Sequence, residues 1–221
     1  MVGEGMAGIF ITLEGIDGSG KTTQARLLAE WLKREGRCVR LTREPGGTEA
    51  GEAIRRLVLS RSVAVPAEAE LFLYLADRAA HVGEVIRPAL ERGCVVVCER
   101  YADSTLAYQG YGRGLDLALL RRLNDLATGG TAPDLTLVLD LSPEQARLDA
   151  ARLDRLELEG AAFSGRVAEG FRALAREEPE RIRLVDAAPG VDAVHAAIVE
   201  LVKGVLGRKR PSPGASRREA P

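Results

Sequence analysis

Apolar positions along the chain fall into two alternating patterns. Short runs bounded by turn residues recur at "GIFITLEG" (8–15), "RCVRLTRE" (37–44), "CVVVCER" (94–100), "DLTLVLDL" (134–141) and "RIRLVDA" (181–187). Each is too short for a helix and rich in Val, Ile, Leu or Thr, which predicts a strand buried on both faces. Between these runs, apolar residues recur every three or four positions. Residues 22–35 align Ala25, Leu28, Ala29 and Leu32 on one face and stop at Gly36, a natural helix terminator. Further helices are predicted over 68–92, with Pro88 marking a kink, and over 115–127, 143–155, 161–176 and 192–205. Strands alternating with helices predict an α/β three-layer sandwich, a five-stranded parallel sheet flanked by helices.

No internal repeat or interdomain linker interrupts this alternation, so residues 1–207 read as one domain. The last stretch, "GRKRPSPGASRREAP", lacks apolar periodicity, and 208–221 reads as a disordered basic tail. Hydrophobic residues at 46%, charged residues at 29% and a net charge of −1 describe an ordinary globular protein with no polyanionic partner. The start, "MVGEGMAG", carries no targeting pattern, and no window approaches a membrane span. A cytoplasmic protein that binds neither nucleic acid nor membrane is expected.

Cys94 and Cys98 fall inside an apolar run with no histidine nearby in sequence, which predicts buried reduced thiols rather than a metal site. His81 and His195 are the only histidines, so histidine-centred catalysis is not expected.

The chemistry concentrates in "GIDGSGKTTQ". Among 31 basic residues only Lys21, Lys33, Lys203 and Lys209 are lysine, and one of these four stands between glycine and threonine. Gly15, Gly20, Lys21 and Thr22 fit G-x-x-x-x-G-K-[ST], with a predicted strand before and a predicted helix after. In that context Gly15, Ile16, Asp17, Gly18, Ser19 and Gly20 form a loop whose N–H groups turn inward around the phosphates of ATP. Lys21 reaches the β and γ phosphates, and Thr22 supplies a hydroxyl to Mg²⁺. Such a loop names the phosphoryl donor but not the acceptor, because switches, motors, transporters and small-molecule kinases share it.

Other segments bear on the acceptor. Tyr74 and Arg78, four apart, share one helical face and could present a ring and a guanidinium to one ligand, or form a core aromatic beside an ion pair. Glu99 and Arg100 end an apolar strand, where ligands of parallel sheets collect. Ser104, Thr105 and Gln109 are hydrogen-bonding groups within two turns, suited to a pyrimidine edge. Arg43 and Pro45, in "TREPGG", border a pocket or form a simple turn.

Five ordered motifs, "LEGIDGSGKTTQ", "TREPGGTEAG", "LFLYLADRAAHV", "ERYADSTLAYQG" and "LDRLELEG", resemble bacterial thymidylate kinase over about residues 9–206. The resemblance implies a nucleoside-monophosphate-kinase-like P-loop fold, transfer of phosphate from MgATP to dTMP, and a homodimer. It implies stacking of thymine on Tyr74, contact of Arg78 with its O4, a monophosphate clamp at Arg100, and a Walker-B acid at Glu99 acting on Mg²⁺ through water. It further implies that Asp17 bonds the acceptor's 3′-hydroxyl, that Tyr108 lies under the sugar, and that Asp186 and Ala187 lie near adenine. Tyr74 stands where the family more often has Phe, and Glu99 where it usually has Asp. The phosphate loop carries no arginine, so the positive charge for the transferring group is expected from a lid over about 143–160, through Arg152, Arg155 or both. The alternatives are a related P-loop kinase with another acceptor, or a nucleotide-dependent switch.

Overall fold

The computed structural model describes residues 8–146 and 155–207. Five parallel strands form one sheet: β1 (Ile9–Glu14), β2 (Val39–Arg43), β3 (Val95–Glu99), β4 (Leu135–Asp140) and β5 (Ile182–Asp186), in spatial order β2-β3-β1-β4-β5. β1 therefore sits at the centre, with Ile11 opposite both Val97 and Leu135. The expectation of two buried faces holds for β1, β3 and β4. It fails at the edges, where Leu41 on β2 and Leu184 on β5 are exposed, because an edge strand lacks a neighbour on one side.

Alternation along the central strands feeds two helical layers. Ile11, Leu13, Val95, Val97, Leu135 and Leu137 pack against α1 (Lys21–Arg34) and α8 (Val191–Leu206), through Leu28, Leu32, Val194 and Ile198. On the opposite face, Val138 and Ile182 join α3 (Ala67–His81), α6 (Leu117–Thr128) and α7 (Ala161–Glu177), through Leu71, Leu75, Leu120, Phe163 and Phe171. Phe10, Val96, Cys98 and Tyr101 complete that side with Val82, Ile86 and Ala89.

The long helix predicted over 68–92 is broken before Pro88. After α3, a π-helical turn over Val82–Ile86 leads into α4 (Arg87–Glu91). Two elements were not predicted. α2 (Glu49–Val58) spaces Ala50, Ala53, Ile54, Leu57 and Val58 as one apolar stripe that the sequence reading passed over, although it buries only Gly51 and Val58; it is started by Thr48, whose hydroxyl accepts from the Gly51 N–H at 2.9 Å. α5 (Ala102–Thr105) continues as a π-helical segment, Leu106–Gly112, packed under α7. The helix predicted over 143–155 is a 3₁₀ turn at Pro143–Gln145, and 147–154 lie outside the described residues. So does the tail over 208–221.

One cysteine expectation is corrected. Cys38 and Cys94 form a disulfide, and only Cys98 is a buried free thiol. They are 56 residues apart in sequence, but each immediately precedes a strand, and β2 and β3 pair from Val39↔Val95 onward. Strand register thus brings the two side chains together.

Candidate active site

At the carboxyl ends of the strands lie two confluent clefts, about 1680 Å³ and 680 Å³, sharing Asp17, Arg55 and Glu99. The larger follows the loop from β1 to α1. Its wall contains Asp17, Gly18, Ser19, Gly20, Lys21 and Thr22, and across it Gln145, Ala187 and Ala188. Gly15 is required at the loop's entry: at its φ of 132°, a Cβ would meet the Leu139 carbonyl at 2.6 Å. Gly20 caps α1 in the left-handed region, so the helix opens with its first N–H groups directed at the cleft.

Gly15 and Ile16 lie behind this wall rather than in it. The Gly15 carbonyl accepts from Arg100 Nη1 at 3.0 Å, and the Ile16 carbonyl from Lys21 Nζ at 2.7 Å. Ala187 lines the cleft, whereas Asp186 turns its carboxylate to the Ala188 N–H at 3.0 Å. Burial and, next, the Arg100 charge push the Lys21 ammonium down to about 8, against the pull of Asp17, Glu99 and Glu14.

Thr22 Oγ1 donates to Glu99 at 2.9 Å from both carboxylate oxygens. A hydroxyl and a carboxylate side by side at a phosphate loop are an oxygen-only donor set. It suits a hard divalent cation that completes its shell with water and phosphate oxygens. Among the described residues no cluster of three or more His, Cys, Asp or Glu offers an all-protein metal site. The donor set therefore fits Mg²⁺ carried in with a nucleotide.

The smaller cleft gathers eleven residues singled out in the sequence: Asp17, Arg43, Pro45, Tyr74, Arg78, Glu99, Arg100, Ser104, Thr105, Tyr108 and Gln109. Sequence reasoning missed Glu44, Arg55, Leu59 and Leu156, which also line it. Arg55 belongs to α2, whose apolar stripe of Ala50, Ala53, Ile54, Leu57 and Val58 is the signal that could have found this helix, and its Nη1 donates to the Pro45 carbonyl at 3.0 Å.

Arg100 holds the seam between the clefts. Its guanidinium reaches Asp17 at 2.5 Å, Tyr108 Oη at 3.0 Å and Ser104 Oγ at 3.2 Å. Tyr108 Oη donates to the other Asp17 oxygen at 2.9 Å. Burial pushes the Asp17 carboxyl up, but Arg100 and then Lys21 outweigh it, bringing the group to about 2.

Arg78 is nearly all spent on protein. Its Nε donates to Glu44 at 2.9 Å, its Nη1 to Thr105 at 2.8 Å and Asn124 at 2.6 Å, and its Nη2 to the Tyr101 carbonyl at 3.0 Å. Four of the five guanidinium N–H groups are thereby used, and at most one is left for a ligand carbonyl. Glu44 also bonds His81 Nδ1 at 3.0 Å, whose Nε2 meets Thr42 Oγ1 at 2.6 Å. This histidine is fully buried as a structural partner.

Of the lid arginines, Arg152 lies outside the described residues. Arg155 Nε donates to the Val58 carbonyl at 3.0 Å and its Nη2 to Glu70, so it is docked between α2 and α3.

A family model for thymidylate kinase matches residues 13–198. The chain belongs to the thymidylate kinase family. It is similar to a thymidylate kinase of Synechococcus sp. (strain JA-3-3Ab), 55% identical with 93% of this chain and 100% of that protein covered. A thymidylate kinase of Solidesulfovibrio magneticus is 51% identical, with 90% and 99% covered. Among solved structures, the crystal structure of thymidylate kinase from Ehrlichia chaffeensis superposes with a TM-score of 0.74 at 36% identity, covering 89% of this chain and 99% of that one. The fold is thus the P-loop nucleoside-monophosphate-kinase fold expected from the motifs, and the chain is an enzyme of this family.

Asp17 gives this site a measurable acid signature. Its carboxyl lies near 3.8 in an unfolded chain and about 2 in the fold, so its charge stabilises the native state fully above the higher value. That contribution, about 2 kcal/mol from the 1.36 kcal/mol carried by each pKa unit, is lost as pH falls through the lower one. Urea unfolding of wild type and Asp17→Asn should show a stability gap that narrows by this amount between pH 5 and 2. A gap independent of pH would contradict the assignment.

Proposed function

We propose that this chain catalyses ATP + dTMP → ADP + dTDP. The observation that carries the reading is the junction of the two clefts: a phosphate-loop cleft opens, at Asp17, Arg55 and Glu99, into an aromatic, amide-lined pocket. Family membership supports the same acceptor.

The chemistry asks little covalent help. A monophosphate has a second pKa near 6, so at neutral pH the attacking oxygen is already anionic. That oxygen forms a bond to Pγ while the bond from Pγ to the β–γ bridging oxygen breaks, and the electron pair leaves with ADP. No general base is needed. His81 is committed to Glu44 and Thr42, in keeping with this requirement. What the protein supplies is alignment and positive charge.

Arg100 clamps the acceptor phosphate at the seam, while Lys21 leaves the Ile16 carbonyl for the β and γ phosphates of ATP. Mg²⁺, when held by Thr22 and by Glu99 directly or through water, neutralises charge on those phosphates. In the acceptor pocket Tyr74 stacks on the base, and the remaining Arg78 donor serves O4. Thr105 and Gln109 read the base edge, with Ser104 supporting Arg100. Asp17 and Tyr108 face the sugar, while Arg43, Pro45 and Arg55 close the rim. Ala187 and the adjoining loop border adenine.

Residues 1–207 act as one kinase domain with a lid over about 143–160. Arg155 is engaged by Glu70, which favours Arg152 as the lid residue that reaches the transferring group. Arg152→Ala should then lose about 10³-fold in turnover, as other arginine donors do. Unchanged turnover would remove it from the mechanism.

The acceptor is tested by ADP release with MgATP and dTMP, dUMP, dCMP, dGMP or no acceptor. The expected response is large with dTMP and weaker with dUMP, since one methyl is worth only about 1–3 kcal/mol. The others should stay near background. Equal slow release in every tube would favour a nucleotide-dependent switch instead.

A homodimer is the proposed assembly. Phe72 on α3 and Leu119 and Leu126 on α6 are exposed at 61%, 47% and 80%, on two helices that pack together. A covered apolar face explains that exposure. Sedimentation velocity should find a dimer in wild type and a monomer in Phe72→Glu; equal sedimentation of the two would move the interface elsewhere.

A further inference from the structure

Glu70, in the first turn of α3, is fully buried and touches none of the phosphate-loop residues. Its carboxylate collects four donors. Oε1 accepts from Gln109 Nε2 at 2.8 Å and Arg113 Nε at 3.2 Å; Oε2 accepts from Arg113 Nη2 at 3.1 Å and from Arg155 Nη2. Arg113 is held in turn by Glu159 at 2.7 Å, and Arg155 by the Val58 carbonyl. Burial alone would push the Glu70 carboxyl up, but the bonds from Arg113, Gln109 and Arg155 bring it below the usual glutamate range.

An ionised carboxylate accepts and never donates, so the amide facing it must offer its NH₂. Gln109 therefore has its nitrogen committed to Glu70, and the other pole of the amide is its carbonyl oxygen. The side chain lines the acceptor cleft. A base met by that oxygen must bring a donor: thymine and uracil carry N3–H, whereas cytosine has a lone pair at N3.

We propose that Glu70 is a positioning residue for base specificity, holding the Gln109 amide in the one orientation that accepts an N3–H. The proposal rests on the dTMP kinase reading and deepens it. Specificity in this pocket is then set by a residue that never touches the nucleotide. Because Oε2 of the same carboxylate binds Arg155, the lid's anchor and the base-reading amide share one buried charge.

Glu70→Gln tests this with a predictable reversal. In the variant, the oxygen of the new amide belongs at the Oε2 position, where two arginine donors converge, which puts its NH₂ opposite Gln109. Gln109 must then turn its own oxygen inward and present NH₂ to the cleft, an edge that suits cytosine N3. The ratio of kcat/KM for dTMP to that for dCMP should fall by about 10- to 100-fold, the worth of one mispaired buried hydrogen bond. A merely structural role would lower both acceptors together and leave the ratio unmoved. A fall of less than tenfold overturns the proposal.

The exchange variant Glu70→Gln with Gln109→Glu puts an acceptor-only group back at the cleft. It should return the ratio to within about threefold of wild type, and failure to do so also counts against the proposal. If Glu70→Gln yields no folded protein, Glu70→Asp, which keeps the charge but draws it back from Gln109, takes its place: a lowered ratio supports the proposal and an unmoved one overturns it. Wild type separates the two levels: no dTMP-dependent ADP release defeats the functional reading, whereas dTMP preference with an unmoved ratio in the variants defeats only the role of Glu70.

Discussion

The chain leaves β3 through a left-handed backbone at Arg100, φ 66°, and the geometry of both clefts depends on that bend. For a long side chain this conformation costs about 1–2 kcal/mol, so neighbouring structure must hold it. The end of β1 does so. The Arg100 N–H donates to the Leu13 carbonyl at 2.9 Å, the Tyr101 N–H to Glu14 Oε1 at 2.7 Å, and Ser104 Oγ to Glu14 Oε2 at 2.6 Å. Burial and the Asp103 charge raise the Glu14 carboxyl to about 8, an environment hostile to charge in which its two donors matter most. Turned back by this frame, the guanidinium reaches across to Gly15 and Asp17 and fastens one cleft to the other.

Periodicity carried most of the fold because its signal is local. Alternating apolar residues on β1, β3 and β4, and the three-to-four spacing of Leu28 and Leu32, follow from burial against fixed partners. The phosphate loop was legible for a related reason: its glycines and lysine fall within eight consecutive residues, even though the clash that requires Gly15 comes from the Leu139 carbonyl on β4. What stayed hidden depends on tertiary register. Cys38 meets Cys94 only because β2 and β3 pair; Arg55 reaches the site only because α2 packs beside Pro45; and the edge exposure of Leu41 depends on strand order.

The acceptor residues occupy an intermediate position. Tyr74 and Arg78 share a face by helical spacing alone, and they do line one cleft. Spacing could not reveal that Arg78 is consumed by Glu44, Thr105, Asn124 and Tyr101, or that Gln109 is turned by Glu70. A sequence lists donors and acceptors; only packing determines which are already paired. For recognition the second fact governs, because a group bonded to protein offers the ligand just its unused valence.

The same accounting bears on phosphate binding. Lys21 bonds the Ile16 carbonyl, Thr22 bonds Glu99, and Arg100 is divided among Gly15, Asp17, Ser104 and Tyr108. A nucleotide meets Lys21 with one of its three N–H donors bonded and Arg100 with four of its five, so what each gains depends on the internal acceptor that a phosphate oxygen replaces. For Lys21 the gain is large, since a neutral carbonyl gives way to a phosphate. For Arg100 it is smaller, since Asp17 already supplies a charge at 2.5 Å. On the proposed reading, the triphosphate gains more from Lys21 than the acceptor phosphate gains from Arg100, because only Arg100 must give up a hydrogen-bonded carboxylate to bind it.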